Sequence, residues 1–353
     1  MKRFKVSTSS SYEVILDHGL LGNAGNLISQ LGFPESTSTL NKIALITDST
    51  VGELYAGDII SDLRSAGFDV YKILFPAGEH SKNLNTYSNI LESLADVGMS
   101  RSDMVLALGG GVVMDIAGFA AGTYLRGIRY AAIPTTFQAA MDAAIGGKTG
   151  VNLLKGKNLA GVFWQPSLVL CDLDILSSSS EEGLTEGLAE AIKCAAISDG
   201  SLLKAIEKGD LPYILERCIS IKKSLIEADE RGSNLRQLLD FGHTIGHGIE
   251  KLSSYNISHG EAIAMGMVIE ARGAWLTGLT SSDISGDLSE ILSSLGFNLS
   301  PSYEGEELYQ AALSDEKISG GMIAMTIPES MGKATIKKIS LGQLRDLIAA
   351  GVK

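Results

Sequence analysis

Between about residue 40 and residue 172, short runs of β-branched and aliphatic residues alternate with stretches whose apolar positions recur every three or four residues. Ile43–Thr47, Val70–Phe75, Met104–Leu108, Arg129–Ile133 and Leu168–Cys171 have the length and composition of buried strands, and segment 85–97 reads as an amphipathic helix among them. This alternation predicts a mostly parallel sheet covered on both faces. Ahead of it, Tyr12–Leu16 is predicted to add a peripheral strand or hairpin.

The pattern changes after Leu176, where Ser177–Ser180 reads as a connector and helix cap. Helical periods then dominate over 182–197, 201–207, 211–229, 235–252, 260–278, 284–295 and 305–313, separated by Gly or Ser breaks. The Ser-rich stretch around 280–302 reads as an exposed link between helices, and no 20–50-residue repeat is visible. The expectation is an α/β domain over 1–176 followed by an all-α domain over 177–353.

A length of 353 residues agrees with two hydrophobic cores. Apolar residues at 45% and charged residues at 20% describe a soluble globular protein, and a net charge of −12 argues against nucleic acid or an anionic membrane as the main partner. Cys171, Cys194 and Cys218 are odd in number, lack CxxC spacing and sit in apolar or helical surroundings, so reduced core thiols are expected. Met1–Val6 has no apolar h-region, and the longest apolar stretches are broken by Asp115, Pro134 and Asp142, which predicts a cytoplasmic protein.

Histidine is scarce, with five in the chain, yet His243, His247 and His259 fall within one short stretch. Imidazole suits a borderline metal such as zinc, and residues one helical turn apart, as His243 and His247 are, can face one cavity. A zinc-protease motif would need Glu after the first His, where this chain has Thr244. Glu190 and Lys193 share one face of a helix whose neighbours are apolar, and a charged pair there needs a partner, which a metal would supply.

In the first half, Gly109-Gly110-Gly111 follows a predicted strand and opens a helix, the setting in which backbone N–H groups hold a phosphate. The segment lacks the G-x-G-x-x-G spacing, so a plain strand-to-helix turn stays open beside a dinucleotide or sugar-phosphate site. Gly146-Gly147-Lys148-Thr149 has the tail of a Walker A loop, but Asp142 stands where that motif needs glycine, which excludes an ATPase P-loop. Lys148, with Lys157 and Asn158 close behind, remains a compact cationic feature suited to an anionic substrate, or a pair of solvated lysines.

Taken in order, these segments resemble the 3-dehydroquinate synthase family. The resemblance is carried by Pro76-Ala-Gly-Glu79-His-Ser-Lys82, Gly109–Asp115, Gly122-Thr-Tyr-Leu-Arg126-Gly, Ile133-Pro-Thr135-Thr136, Asp142–Asn152, Gly156-Lys157-Asn158, Gly187–Lys193, Arg236–Glu250 and His259-Gly-Glu-Ala. It implies an N-terminal Rossmann-like domain binding NAD, a C-terminal metal-binding domain carrying zinc or a cobalt substitute, an active site in the cleft, and a homodimer. By the same resemblance Glu190, His243 and His259 are the metal ligands. His247 is thereby moved from metal to substrate. Asp48, Glu79, Lys82, Gly110, Gly111, Val112, Val113, Met114, Asp115, Thr135, Thr136, Lys148 and Lys157 match NAD-contacting positions. Asp142, Lys148, Asn158, Lys193, Lys222, Arg236, Asp240, His247 and Lys317 match substrate-pocket positions, and Arg126 matches an arginine that reaches the neighbouring subunit's site.

The activity implied is conversion of 3-deoxy-D-arabino-heptulosonate 7-phosphate to 3-dehydroquinate and phosphate in the shikimate pathway of aromatic amino-acid biosynthesis. It runs by transient oxidation with NAD, β-elimination of phosphate, re-reduction and intramolecular aldol closure. Another sugar-phosphate cyclase, or a metal-dependent alcohol dehydrogenase of the same superfamily, is the alternative. Lys222 and Arg236 argue for a substrate bearing a carboxylate. The chain departs from the family in four places: Asp240 replaces Asn, Gly232 replaces an acidic residue, Asp142-Ala-Ala replaces Asp-Ser-Ser, and Asp315-Glu316-Lys317 replaces Asp-Lys-Lys. A carboxylate at 240 would repel phosphate unless turned away or paired with a lysine.

Overall fold

The computed structural model describes residues 1–33, 41–178, 180–315 and 317–353, so Ser179 and Glu316 lie outside the described residues. The chain forms two compact units, Met1–Ser180 and Glu181–Lys353.

The first unit is built on a seven-stranded sheet. Its strands are β1 (Lys2–Val6), β2 (Tyr12–Asp17), β3 (Lys42–Asp48), β4 (Asp69–Phe75), β5 (Met104–Gly109), β6 (Arg129–Pro134) and, after a separate hairpin of β7 (Lys148–Leu153) and β8 (Gly156–Phe163), β9 (Leu168–Asp172). The order is β1-β2-β9-β6-β5-β3-β4. All neighbours are parallel except β1 and β2, which form the N-terminal hairpin at one edge. Ile43, Leu45, Leu106, Leu108, Ile133 and Leu170 form one core, packed with Ile59 and Leu63 of the helix Ala56–Ser65. Because β4 lies on one side of β3 and β5 on the other, the winding reverses between β3 and β5, and in open α/β sheets ligands bind outside the carboxyl ends of the strands at such a point. The β7–β8 hairpin, which carries Gly150, Gly156 and Gly161, was not expected from the sequence. The glycines sit there because the strands are crowded: a Cβ on Gly161 would lie 2.0 Å from the Thr149 carbonyl oxygen.

The second unit is helical, as expected, with one addition. Its helices are Glu181–Ile197, Leu202–Glu207, Leu211–Ala228, His243–Leu252, His259–Leu276, Ser285–Ser294, Gly305–Ala312 and Leu341–Gly351. The addition is an antiparallel hairpin of β10 (Met322–Ser330) and β11 (Lys333–Ser340), whose Ile323, Met325, Ile327 and Ile339 join the core of Ile245, Ile249, Met265 and Leu347. The helix expected over 235–252 is in two pieces, a 3₁₀ turn Leu235–Asp240 and the α-helix from His243. Gly242 separates them at φ +79°, a left-handed conformation that other residues adopt only at a cost.

All three cysteines are unpaired and buried. Among the described residues, no helix is long and apolar enough to cross a membrane.

Candidate metal and nucleotide sites

In the second unit, Glu190 comes from the helix Glu181–Ile197, while His243 and His259 are the first residues of their helices. Close backbone approach brings these helices together. A Cβ on Gly260, next to His259, would lie 2.7 Å from Cα of Glu186, one turn before Glu190. A Cβ on Gly266 would lie 2.1 Å from the carbonyl oxygen of Gly242, next to His243.

The result is a set of three donors. Glu190 Oε1 is 3.6 Å from His243 Nε2 and 3.5 Å from His259 Nε2. Donors bound at ~2.0–2.1 Å around a tetrahedral zinc stand ~3.3 Å apart, so this set closes on such an ion with little movement. The remote ring nitrogens are also held. His243 Nδ1 is 3.1 Å from the Phe241 carbonyl oxygen, and His259 Nδ1 is 3.3 Å from Glu250 Oε1. A carbonyl can only accept, so His243 carries its proton on Nδ1 and turns the Nε2 lone pair toward Glu190.

The electrostatics agree with a cation at this point. Burial, and then the charge of Lys193, push the His243 imidazole down to about 3, leaving it neutral as a ligand must be. Burial also pulls on His259, but hydrogen bonds to Glu190 and Glu250 outweigh it and raise that group to about 10. The two carboxylates therefore demand positive charge between them. Lys193 answers part of that demand through an ion pair with Glu190 in which both side chains are buried.

His247 lies one turn beyond His243, with ring centroids 5.3 Å apart, and its ring is 6.1 Å from that of His259. With Glu250 and His259 it makes a second group of donors. That group shares His259, whose Nδ1 is already 3.3 Å from Glu250 Oε1.

Below these histidines lies a polar cluster that sequence reasoning found only in part. Lys317 Nζ donates to Thr244 Oγ1 at 2.9 Å, and stands 3.6 Å from Asp315 and 3.9 Å from Asp240. Burial would lower the lysine, but Asp240, Asp315 and Glu270 outweigh it and hold its pKa above the ordinary value. Asp240 is thus paired with a lysine. The Glu316 departure falls outside the described residues. Gly232, the other departure nearby, has φ +73°, a turn that favours glycine. That turn belongs to a loop gathered by Asp229, whose carboxylate accepts from the N–H groups of Ser233, Asn234 and Arg236. Arg236 is buried and donates to the Glu230 carbonyl at 2.6 Å, and Lys222 is buried on Leu211–Ala228.

In the first unit, the residues matched to NAD positions collect at the carboxyl ends of β3 to β6. Asp48 ends β3 and caps the next helix through Thr50 and Val51. Gly110 precedes the helix Gly111–Thr123, which contains Val112, Val113, Met114 and Asp115 and has no side-chain cap on its first N–H groups. Thr135 follows β6 and bonds back to Gly109, while Thr136 caps the helix Phe137–Met141. Beside them runs a chain of polar contacts. Lys82 Nζ pairs with Asp115 and donates to Asn158 Oδ1 at 2.6 Å. Glu79 accepts from Asn152 at 2.8 Å and lies 3.4 Å from Lys157. Burial raises the Asp115 carboxyl, and Lys82 opposes that shift. Asn158, matched by sequence to the substrate pocket, is tied to Lys82 in this chain of contacts. Asp142 closes the helix Phe137–Met141, half-buried, and Lys148 is exposed at the start of β7. Arg126 is exposed at φ +66° in a turn with Leu125 and Gly127, both also at positive φ.

This fold is that of the sugar-phosphate cyclases. A 2-deoxy-scyllo-inosose synthase complexed with carbaglucose-6-phosphate, NAD+ and Co2+ matches with TM-score 0.86 and 24% identity over 99% of this chain and all of that one. A 2-epi-5-epi-valiolone synthase from Streptomyces hygroscopicus with NAD+ and Zn2+ bound gives TM-score 0.84 and 26% identity, covering 98% of each chain.

Within that class, the chain belongs to the 3-dehydroquinate synthase family. Residues 72–186 match the 3-dehydroquinate synthase N-terminal family and residues 187–318 its C-terminal counterpart. A 3-dehydroquinate synthase of Streptococcus mutans is 40% identical over 350 residues, 96% of each protein.

Proposed function

We propose that the chain acts as a 3-dehydroquinate synthase, a phosphate-eliminating carbon–oxygen lyase that turns 3-deoxy-D-arabino-heptulosonate 7-phosphate into 3-dehydroquinate and phosphate. The observation that carries the chemistry is the set of buried Glu190 with half-buried His243 and His259, three donors that leave a coordination position for substrate. In this reading the first unit holds NAD at the carboxyl ends of β3 to β6, and the second holds zinc, or cobalt in its place, with the substrate. The domain limits 1–176 and 177–353 read from the sequence describe that division of labour.

When bound, NAD would take and return a hydride, and the metal would lower the pKa of the alcohol being oxidised. The chain's own groups do the rest. Lys193 and His247 orient hydroxyls and relay protons, while Lys148, Lys222, Arg236 and Lys317 neutralise the phosphate and carboxylate, with Asn158 as a neutral donor. Asp142 joins this substrate set on the resemblance alone. Arg126 is exposed and so available to a second copy in a homodimer. A biosynthetic role of this kind places the protein in the cytoplasm.

The test is turnover with catalytic NAD, a divalent metal and the heptulosonate phosphate. Phosphate and dehydroquinate should appear together without net NADH. Accumulating NADH, or faster turnover of sedoheptulose 7-phosphate, would sink the assignment. A second test addresses Asp240. Because Asp240 shares Lys317, Asp240→Asn removes a carboxylate that competes with phosphate for that ammonium and should lower KM by about two- to fivefold. An unchanged or higher KM would remove Lys317 from the phosphate-binding set.

A further inference from the structure

Glu270 is fully buried on the helix that begins with His259; no sequence motif marks it, and above it enters only through its charge near Lys317. Its carboxylate points at the start of the neighbouring helix. Oε2 accepts from the Gly242 N–H at 2.8 Å and Oε1 from the Ile245 N–H at 3.4 Å. These amides flank His243, and the helix they open has no side-chain cap from Gly242 itself. A carboxylate at this position satisfies orphan donors and complements the positive end of the helix.

The other end of the same short helix is tied to the same long helix. Glu250 is near its C-terminus and meets His259 Nδ1. Two carboxylates thus fasten His243–Leu252 to His259–Leu276 at both ends, one on backbone amides near His243 and one on the His259 ring. Between them the backbones touch at Gly242 and Gly266, so the helices cannot move closer to recover a lost tie.

We infer that Glu270 is a positioning residue for the metal centre, fixing where His243 presents Nε2 relative to His259 and Glu190. The inference rests on the metal reading given under Proposed function. Removing the carboxylate leaves two buried N–H groups with poorer partners, and the start of the His243 helix relaxes away from the Glu190 and His259 donors. Loss of groups that orient metal ligands costs about 10- to 100-fold in affinity.

The experiment uses the full chain and Co2+ or Zn2+ alone, with affinity read by competition against a chromophoric chelator and geometry by the Co2+ visible spectrum. Glu270→Gln and Glu270→Asp should fold, keep NAD affinity, weaken the metal by about 10- to 100-fold and shift the cobalt bands. A folded Glu270→Gln with parental metal affinity and an unshifted spectrum would overturn the inference. His243→Ala separates the two levels. If the unaltered chain binds one metal that His243→Ala loses, the metal reading stands and the Glu270 variants decide their own question. If the unaltered chain takes up no metal, both fall. Should neither Glu270 variant fold, amide exchange in the unaltered protein decides. Gly242 and Ile245 amides that exchange at least about tenfold more slowly with Zn2+ support the clamp. Exchange indifferent to Zn2+ refutes it.

Discussion

His243→Ala is expected to abolish metal-dependent turnover, with kcat/KM falling by about 10³ or more, which corresponds to about 4 kcal/mol of transition-state stabilisation. The reasoning starts from position. His243 Nε2 lies 3.6 Å from Glu190 Oε1, and its Nδ1 is occupied by a backbone carbonyl, so one nitrogen remains and it faces the other donors. Alanine leaves Glu190 and His259, two donors where a catalytic zinc site uses three. NAD affinity should stay within about twofold, since the nucleotide-site candidates belong to Met1–Ser180 and His243 to Glu181–Lys353. Equilibrium dialysis for metal and fluorescence titration for NAD measure both arms. Retained metal stoichiometry with retained activity would remove His243 from the ligand set.

The fold was legible where periodicity is strong. Residues 43–47, 70–75, 104–108, 129–133 and 168–171 alternate with helical stretches and are strands of one sheet. The two hairpins were less visible, for different reasons. In β7 and β8 the glycines that permit close strands also weaken the strand signal. In β10 the alternation of Ile323, Met325 and Ile327 was present, but Pro328 weakens a strand assignment; it is accommodated because the ribbon has two edge strands and its register shifts between Pro328 and Ser330.

At the site, residue types were legible and their supports were not. Three scarce histidines and a glutamate in an apolar helix single themselves out by composition. By contrast, the sequence cannot show that the Phe241 carbonyl sets a tautomer, or that Glu250 meets His259, because both depend on how helices meet. Glu270 is the exception. It interrupts the apolar run Met267-Val-Ile-Glu270-Ala, the same signal that marked Glu190, and the rule that a buried charge needs a partner could have found it. Asp240 shows the opposite limit. Its charge beside a phosphate site looked unfavourable in sequence, and the structure places Lys317 against it.

Gly266→Ala should destroy the metal centre without touching a ligand. A Cβ there would lie 2.1 Å from the Gly242 carbonyl oxygen and 2.9 Å from the Gly246 nitrogen, both backbone atoms that no rotamer change can move. The strain can be relieved only by separating the helices His243–Leu252 and His259–Leu276, which share the core of Ile245, Ile249, Met265 and Ile269. Overpacking against side chains costs about 1–3 kcal/mol, and a rigid backbone contact belongs at or above the top of that range. For a unit of this size about 3 kcal/mol lowers Tm by roughly 6–12 °C. The same separation withdraws the Gly242 and Ile245 N–H groups from Glu270 and moves His243 relative to His259, so metal affinity should fall with stability. Circular dichroism on heating, alongside chelator competition at a temperature where the variant is still folded, reads both. A folded variant with weakened metal binding would show that helix separation itself sets ligand geometry, whereas parental Tm and parental affinity would mean that the two backbones do not meet as described.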